Sequence, residues 1–384
     1  MFLKLLKIGF IFLFSKKILK PPKKKKVLII GDTEKYLNIF LGKDYELFSK
    51  NDFELIHMWG EKINLYIVLK CLINLKFKFT DYCNEYIQEV KPKILLSVLD
   101  NYKFIYDLKK NKYQKKILIQ NAYRFGDTID FKINTKKYNV DHVFVFSKSV
   151  ADKYFNLLKC NVHVIGSFFM NHLITKIRKK KNSKIYPYLY ISVFRKFNQS
   201  KFSLNKKTKF TEAEKELVKN IYEYTSKKKK KLFILGTNKN TFKDEFDYYN
   251  NIFQNKKNWK LLKPKKRSFK YAYEQIFKSK LVLGLDSTLL YESFAAGIKT
   301  IFFDYRTKSN RSFGWPNKFK NTGNFWTNKK SKKVLKNLID KVSNTSKKNW
   351  QRIFMKYKDE LISIDTNNNK FKEIFKSSLK IKST

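Results

Sequence analysis

Two successive doubly wound α/β domains, facing each other across a cleft, are the fold that the sequence predicts. Three observations carry this. Short apolar runs of strand length recur and end in Gly, Asp, Asn or Ser. Stretches with helical apolar spacing separate them, and a charged break interrupts the alternation near the middle of the chain. Buried parallel strands read as continuous apolar runs, and strands alternating with helices imply βαβ units. With 384 residues, 43% of them apolar, the chain can bury two ordinary cores.

The first domain is expected over residues 27–176. Residues 27–30 (VLII) run into Gly31-Asp32, a buried strand and turn that suit the opening of such a domain. Residues 53–58 (FELIHM) form a second strand candidate, and 64–75 carry a helical pattern. Residues 94–99 read as a strand closed by Asp100-Asn101, followed by a helix over 104–110. Further strands are predicted at 116–119, 142–146 and 162–165, closed by Gln120-Asn121, Ser147 and Gly166-Ser167. Residues 177–187 open with IRKKKNSK and read as a linker. The second domain, over 188–330, has expected strands at 188–194, 232–235, 259–262, 281–283 and 299–303. Its helices fall at 211–224, 246–253, 271–277 and 289–296. Residues 331–384 form a basic tail with helices at 333–343 and 347–364. Ligands of such domains bind in the cleft, at the carboxyl ends of the strands.

A formal net charge of +52 suggests nucleic acid at first sight. Only seven of the 84 basic residues are arginine, the side chain whose fork reads bases and phosphates bidentately. No Gly-aromatic RNA-binding signature occurs. Lys, Asn, Ile, Phe and Tyr are abundant while Gly, Ala, Pro and Arg are scarce, the usage that an AT-rich genome imposes. The charge therefore reads as solvated lysine faces with an attraction to anionic lipid and to phosphate-bearing substrates. No nucleic-acid partner is expected. Cys71, Cys83 and Cys160 lack CxxC spacing, so neither zinc nor a disulfide framework is indicated, and a reducing, cytoplasmic compartment fits. Residues 1–14 (MFLKLLKIGFIFLF) fall short of the roughly 20 residues that span a bilayer, and they lack a small-residue cleavage site. With the lysine block behind them, residues 1–26 read as a segment lying on the anionic inner face of a membrane, or as a helix packed on the domain or a frayed leader.

Residues 280–304, KLVLGLDSTLLYESFAAGIKTIFFD, carry the chemistry. They read as strand, polar turn, helix, Gly stop and strand. Gly284 leaves room for a ligand to approach. Asp286, Ser287 and Thr288 are preferred N-cap types, and the bare N–H groups of a helix start suit a diphosphate. Glu292 shares a helix face with Thr288, where a carboxylate can accept hydrogen bonds from both hydroxyls of a ribose. The plainer account of the same residues is a capped helix with Glu292 serving the dipole.

The D-S-T, x-x-x, E, A-x-G order between two strands resembles the nucleotide-binding part of GT-B glycosyltransferases and sugar-nucleotide 2-epimerases. More closely, the chain is similar to a bacterial family of GT-B transferases assigned to surface-carbohydrate biosynthesis. Trp59 to Tyr66 (WGEKINLY), Asp100-Asn101, residues 119–124 (IQNAYR), Ile165-Gly166-Ser167 with Asn171, and Ile191-Ser192 with Arg195 carry that similarity over roughly residues 27–310. Gln-Asn-Ala stands where the family is expected to have Gln-Asn-Gly. The resemblance implies two Rossmann-like domains in the GT-B arrangement, with a nucleotide-sugar donor in the C-terminal one. Gly284, Asp286, Ser287, Thr288 and Glu292 are then donor-binding. Ser192 and Arg195, Gly236 and Thr237 lie on the same rim. Lys265 and Arg267 meet phosphate or base, or form a solvated basic loop.

An acceptor hydroxyl must lose its proton as it attacks, so a base from the N-terminal domain is required. Glu61, Asp100 and His57 are the candidates. Each has a bland alternative: a capping box for Glu61, an N-cap for Asp100, a satisfied core histidine for His57. Asn64, Asn101, Gln120, Asn121 and Arg124 are the acceptor-side candidates. No metal and no cofactor are expected, and Asp244, Glu245 and Asp247 read as partners of a helix dipole. The function implied is transfer of a sugar to a surface polysaccharide or lipid-linked glycan. Alternatives on the same fold are a sugar-nucleotide 2-epimerase and a CDP-glycerol-type phosphotransferase. An alternative of another class is a basic membrane- or nucleic-acid-binding protein.

Overall fold

The computed structural model describes residues 15–31, 36–58, 61–123, 140–178, 183–194, 204–237, 239–254, 256–263, 269–285, 287–305, 315–316 and 318–380. The N-terminal half begins with β1 (Lys16–Ile18), β2 (Val27–Ile30), α1 (Leu37–Leu41), β3 (Phe53–Ile56), β4 (Lys62–Asn64), α2 (Leu65–Ile73) and α3 (Phe79–Val90). It continues with β5 (Ile94–Ser97), α4 (Lys103–Asp107), β6 (Lys115–Ile119), β7 (His142–Val145), α5 (Lys148–Leu157), β8 (Asn161–Val164) and α6 (Phe168–Arg178). The C-terminal half holds β9 (Tyr186–Ile191), α7 (Leu204–Lys227), β10 (Leu232–Leu235), α8 (Phe242–Ile252), β11 (Trp259–Leu262), α9 (Phe269–Phe277) and β12 (Ser279–Gly284). α10 (Thr288–Ala295), β13 (Thr300–Phe303), β14 (Trp326–Thr327), α11 (Lys332–Asn344), α12 (Lys347–Leu361) and α13 (Asn369–Leu379) complete it.

Each half is built on a six-stranded parallel sheet, in the orders β3-β2-β5-β6-β7-β8 and β11-β10-β9-β12-β13-β14. Residues such as those of β2, β5 and β13 are buried along their whole length, as strands covered on both faces must be. Two apolar clusters fill the faces of the first sheet, and a third fills the second half and reaches Phe146, Met170 and Ile174 of the first. Caps are local and sequence-coded. Asn64, Ser147, Ser331 and Ser346 each accept a backbone N–H from the first turn of the helix that follows.

The basic tail is part of both halves. α11 packs on α7 and β13, and α12 packs on α10 and on α5 of the other half. α13 returns to the N-terminal half, where Phe371 and Phe375 are buried with Phe40, Phe144 and Phe168. At the crossing, Gly166 pairs with Ile364, and its φ of +79° suits glycine. A Cβ there would fall 1.8 Å from the Ser363 carbonyl oxygen, so only glycine lets the two segments touch. No helix among the described residues is long and apolar enough to cross a membrane. Residues 16–18 of the expected membrane segment form β1, paired in parallel with β4; residues 1–14 lie outside the described ones.

Candidate functional site

In the second sheet β9 and β12 are neighbours, and the strand order reverses there. Connections leave such a switch point on opposite faces, which opens a crevice at the carboxyl ends of the two strands. β12 delivers the chain to that crevice, with Gly284 in register with Ile191 of β9 and Phe302 of β13. Gly284 is buried, and its missing side chain makes room for Leu290, 3.1 Å from where a Cβ would stand. The expectation of open space for a ligand at this glycine is therefore corrected: the space serves helix–sheet packing.

Ser287 caps α10 through its backbone, its carbonyl accepting from the Leu290 N–H at 2.9 Å, while its side chain makes no capping bond. Thr288 Oγ1 accepts the backbone N–H of Tyr123 at 3.0 Å. Tyr123 belongs to the loop after β6, so the turn faces the N-terminal half and is half-covered by it. The Tyr123 ring stacks on Tyr291, with centroids 3.8 Å apart, and its hydroxyl donates to the Leu361 carbonyl. Asp286 lies outside the described residues.

Glu292 is buried at the same junction. Ser167, just past β8, donates its hydroxyl to the Glu292 carboxylate across the two halves, and the Tyr273 hydroxyl bonds it from α9. Burial pushes the Glu292 carboxyl up to about 7, against the opposing pull of those two hydrogen bonds. Glu292 lies beyond the first turn of α10, so the helix dipole is not its partner.

Along the rim, Ser192 is buried with the Tyr249 hydroxyl 2.7 Å from its Oγ, and Tyr249 also donates to Glu214 at 2.8 Å. Glu214 further accepts from the hydroxyls of Tyr190 and Tyr248 and from the Val193 N–H. Glu245 accepts the N–H of Thr237 at 3.0 Å and its hydroxyl at 3.2 Å, and burial pushes its carboxyl up to about 7. The N–H of Thr237 is thus held from inside the domain, and Gly236 donates its own to the Leu262 carbonyl. Glu245 stands in the first turn of α8, as the dipole reading expects, and is also a buried brace of this loop. Glu214 was not singled out from sequence, since nothing local marks a glutamate inside a long polar helix as buried. Arg195, Lys265 and Arg267 lie outside the described residues.

In the N-terminal half, His57 follows β3 and its Nδ1 lies 3.4 Å from a carboxylate oxygen of Glu61, which is exposed. A cavity of about 180 Å³ opens here, lined among others by His57, Glu54, Lys62, Asn64, Tyr82 and Tyr86. Asn64 spends its side chain on local structure: Oδ1 caps α2, and Nδ2 donates to the Lys20 carbonyl. Asp100 is fully buried, accepting the Tyr154 hydroxyl at 2.9 Å. Asp100 is thus an interior residue of the N-terminal half, held by Tyr154, and does not present its carboxylate to the surface. Gln120 is also internal, accepting from the Phe146 N–H and donating to the Ala122 carbonyl. Asn101 is half-buried and Asn121 exposed; Arg124 lies outside the described residues. No cluster of three metal-ligating side chains occurs among the described residues.

Residues 117–379 match the model of a family described as "putative O-antigen biosynthesis protein", more than half of the chain. No curated protein matches the sequence. Among solved structures, the chain is similar to a "putative UDP-N-acetylglucosamine 2-epimerase" from Listeria monocytogenes. The TM-score is 0.54 at 12% identity, over 94% of this chain and 98% of that one. It is also similar to the UDP-GlcNAc 2-epimerase of Methanocaldococcus jannaschii in complex with UDP-GlcNAc and UDP (TM-score 0.52, 11% identity, 91% and 99% covered). A third is the wall teichoic acid polymerase TagF in its H444N variant (TM-score 0.51, 12% identity, 94% and 90% covered). At these identities the likeness concerns the fold, which in all three is GT-B. By its matched sequence the chain belongs to this family of O-antigen biosynthesis proteins, and two Rossmann-like domains in the GT-B arrangement carry it.

Proposed function

We propose that this protein is a glycosyltransferase that moves a sugar from a nucleotide-sugar donor to a surface polysaccharide or lipid-linked glycan acceptor. One observation carries the reading: the turn ahead of α10, with Thr288 and then Glu292, sits at the switch point of the C-terminal sheet and faces the other half. The nucleotide-sugar complex of the Methanocaldococcus jannaschii relative supports the donor class.

In this reading the N–H groups at the start of α10 receive the diphosphate, and Glu292 receives the ribose hydroxyls. The Ser167 hydroxyl holds the place of a ribose hydroxyl when no donor is bound, so the halves part there as the donor enters. Glu61, oriented by His57, takes the proton from the acceptor hydroxyl. The acceptor oxygen bonds to the anomeric carbon as the bond from that carbon to the diphosphate oxygen breaks. The nucleoside diphosphate leaves with the electron pair, its charge offset by the helix start. The enzyme works at the cytoplasmic face of the inner membrane, with residues 1–26 resting on anionic lipid.

Thermal shift with UDP, GDP, CMP, CDP and dTDP tests the donor site. One nucleotide should stabilise the protein by about 2.7 kcal/mol at a hundredfold excess over its Kd. Glu292→Ala should remove that increment, read as the difference with and without nucleotide. An increment unchanged in Glu292→Ala would clear the residue of this role, and a response to CDP alone would favour a CDP-glycerol-type donor.

A further inference from the structure

Apolar side chains crowd one exposed corner of the N-terminal half. α2 buries Ile67 and Cys71, yet its outward stripe carries Leu69, Leu72 and Ile73 where a surface helix ordinarily shows polar residues. Every residue from 72 to 79 is exposed, and in that stretch Leu75 and Phe77 flank Lys76. Ile73, Leu75 and Phe77 leave 73%, 77% and 74% of their surface to solvent. Of the fifteen exposed large apolar side chains among the described residues, seven fall between 66 and 79. Single exposed apolar residues are ordinary, but a contiguous patch marks an interaction site.

Charge decides the partner. Lys70 and Lys76 are neutralised by Glu85 and Glu89. At the rim the pattern differs. β1 and β4, both packed on α2, set Lys16 directly opposite Lys62, and both are exposed. Like charges facing each other across two strands are unfavourable. Among the described residues no carboxylate pairs with Lys16, Lys62 or the nearby Lys20. An apolar face rimmed by unneutralised ammonium groups fits a surface that offers acyl chains and anionic head groups together.

We propose that α2 and the segment over residues 74–79 dock onto an anionic bilayer, apolar side chains in the head-group boundary and the rim lysines on lipid phosphate. Ile18 of β1 and Lys62 of β4 also line the cavity beside His57, so docking carries that cavity to the lipid surface. The inference rests on the membrane location in the proposed function; it uses the lysines of the folded β1 region, but neither residues 1–14 nor the transfer chemistry.

Co-sedimentation of the full chain with vesicles tests it, using phosphatidylcholine alone and phosphatidylcholine with phosphatidylglycerol. The wild type should bind the anionic vesicles at least about tenfold more tightly, and added salt should weaken the binding. Leu69→Asp, Ile73→Asp and Phe77→Asp together should cost about tenfold or more, with an unchanged far-UV spectrum, because all three side chains are exposed. Lys16→Glu with Lys62→Glu should weaken binding to anionic vesicles and leave the weak binding to neutral ones as it was. A parallel chain carrying Phe10→Asp and Phe12→Asp separates this face from the N-terminal stretch. Loss of binding there, with the α2 variant binding like wild type, would overturn the face and leave the membrane location standing. Sedimentation velocity that shows a wild-type dimer abolished by the α2 variant, without vesicle binding, would assign the face to a second copy and also overturn the proposal.

Discussion

Glu292 joins the two halves of the molecule at the price of burying a carboxyl between Ser167 and Tyr273. Its folded pKa of about 7 lies above the unfolded carboxylate value, so the folded state holds a proton that the unfolded state has released. The stabilising contribution is therefore complete below the unfolded pKa of about 4.3 and is lost as pH rises through about 7. Glu292→Gln has no such proton. Chemical denaturation of the two proteins between pH 4.5 and 8 should show the glutamine variant gaining on wild type by roughly 3 kcal/mol toward the upper end. Parallel stability curves would show Glu292 to be indifferent to its surroundings. The residue types at Ser287, Thr288 and Glu292 were legible, because helix starts use a small vocabulary of polar side chains. That Ser167, 125 positions away, would reach Glu292 was not, because nothing in local spacing records a contact between domains.

Secondary structure was largely legible where burial is continuous. β2, β6, β7, β10 and β11 fall within a residue of the apolar runs that predict them. Strands β1, β4 and β14 were missed, since strands of two or three residues carry no apolar run, and β1 and β4 contain lysine and exist only through each other. Helices α1, α3, α5, α6 and α13 were missed as well, although α3 and α13 carry a clear helical apolar period. α13 has a testable weight. Phe371 is fully buried among Phe40, Phe144 and Phe168, so Phe371→Ala should cost about 3–5 kcal/mol in equilibrium unfolding. A loss below about 1 kcal/mol would mean that the helix contributes little to the N-terminal core.

At the scale of the molecule, the contacts that join the halves include Ser167 with Glu292, Tyr123 with Thr288 and Leu361, Ser149 with Glu360 at 3.2 Å and Asn171 with Asn368 at 2.9 Å. Phe146, Met170 and Ile174 share an apolar cluster with the second half. Tyr123 covers the start of α10, so donor entry in the proposed function competes with it. Tyr123→Ala should raise the radius of gyration in small-angle scattering. It keeps the backbone N–H on Thr288 but loses the ring on Tyr291 and the hydroxyl bond to Leu361. It should therefore also tighten nucleotide binding by about fivefold, the scale of that one net hydrogen bond no longer broken on entry. Weaker nucleotide binding in this variant would make Tyr123 a donor contact instead of a competitor.

The sequence by itself determined the two parallel sheets and the polar turn ahead of α10, because burial on both strand faces and the capping of a helix are written in neighbouring residues. Only the tertiary structure decided that Asp100 and Gln120 are interior, that Gly284 houses Leu290, that Glu214 and Glu245 are buried braces, and that α13 closes the N-terminal half. Each of these depends on which surface a side chain meets across tens or hundreds of residues. That is a property of packing, and adjacent residues do not carry it.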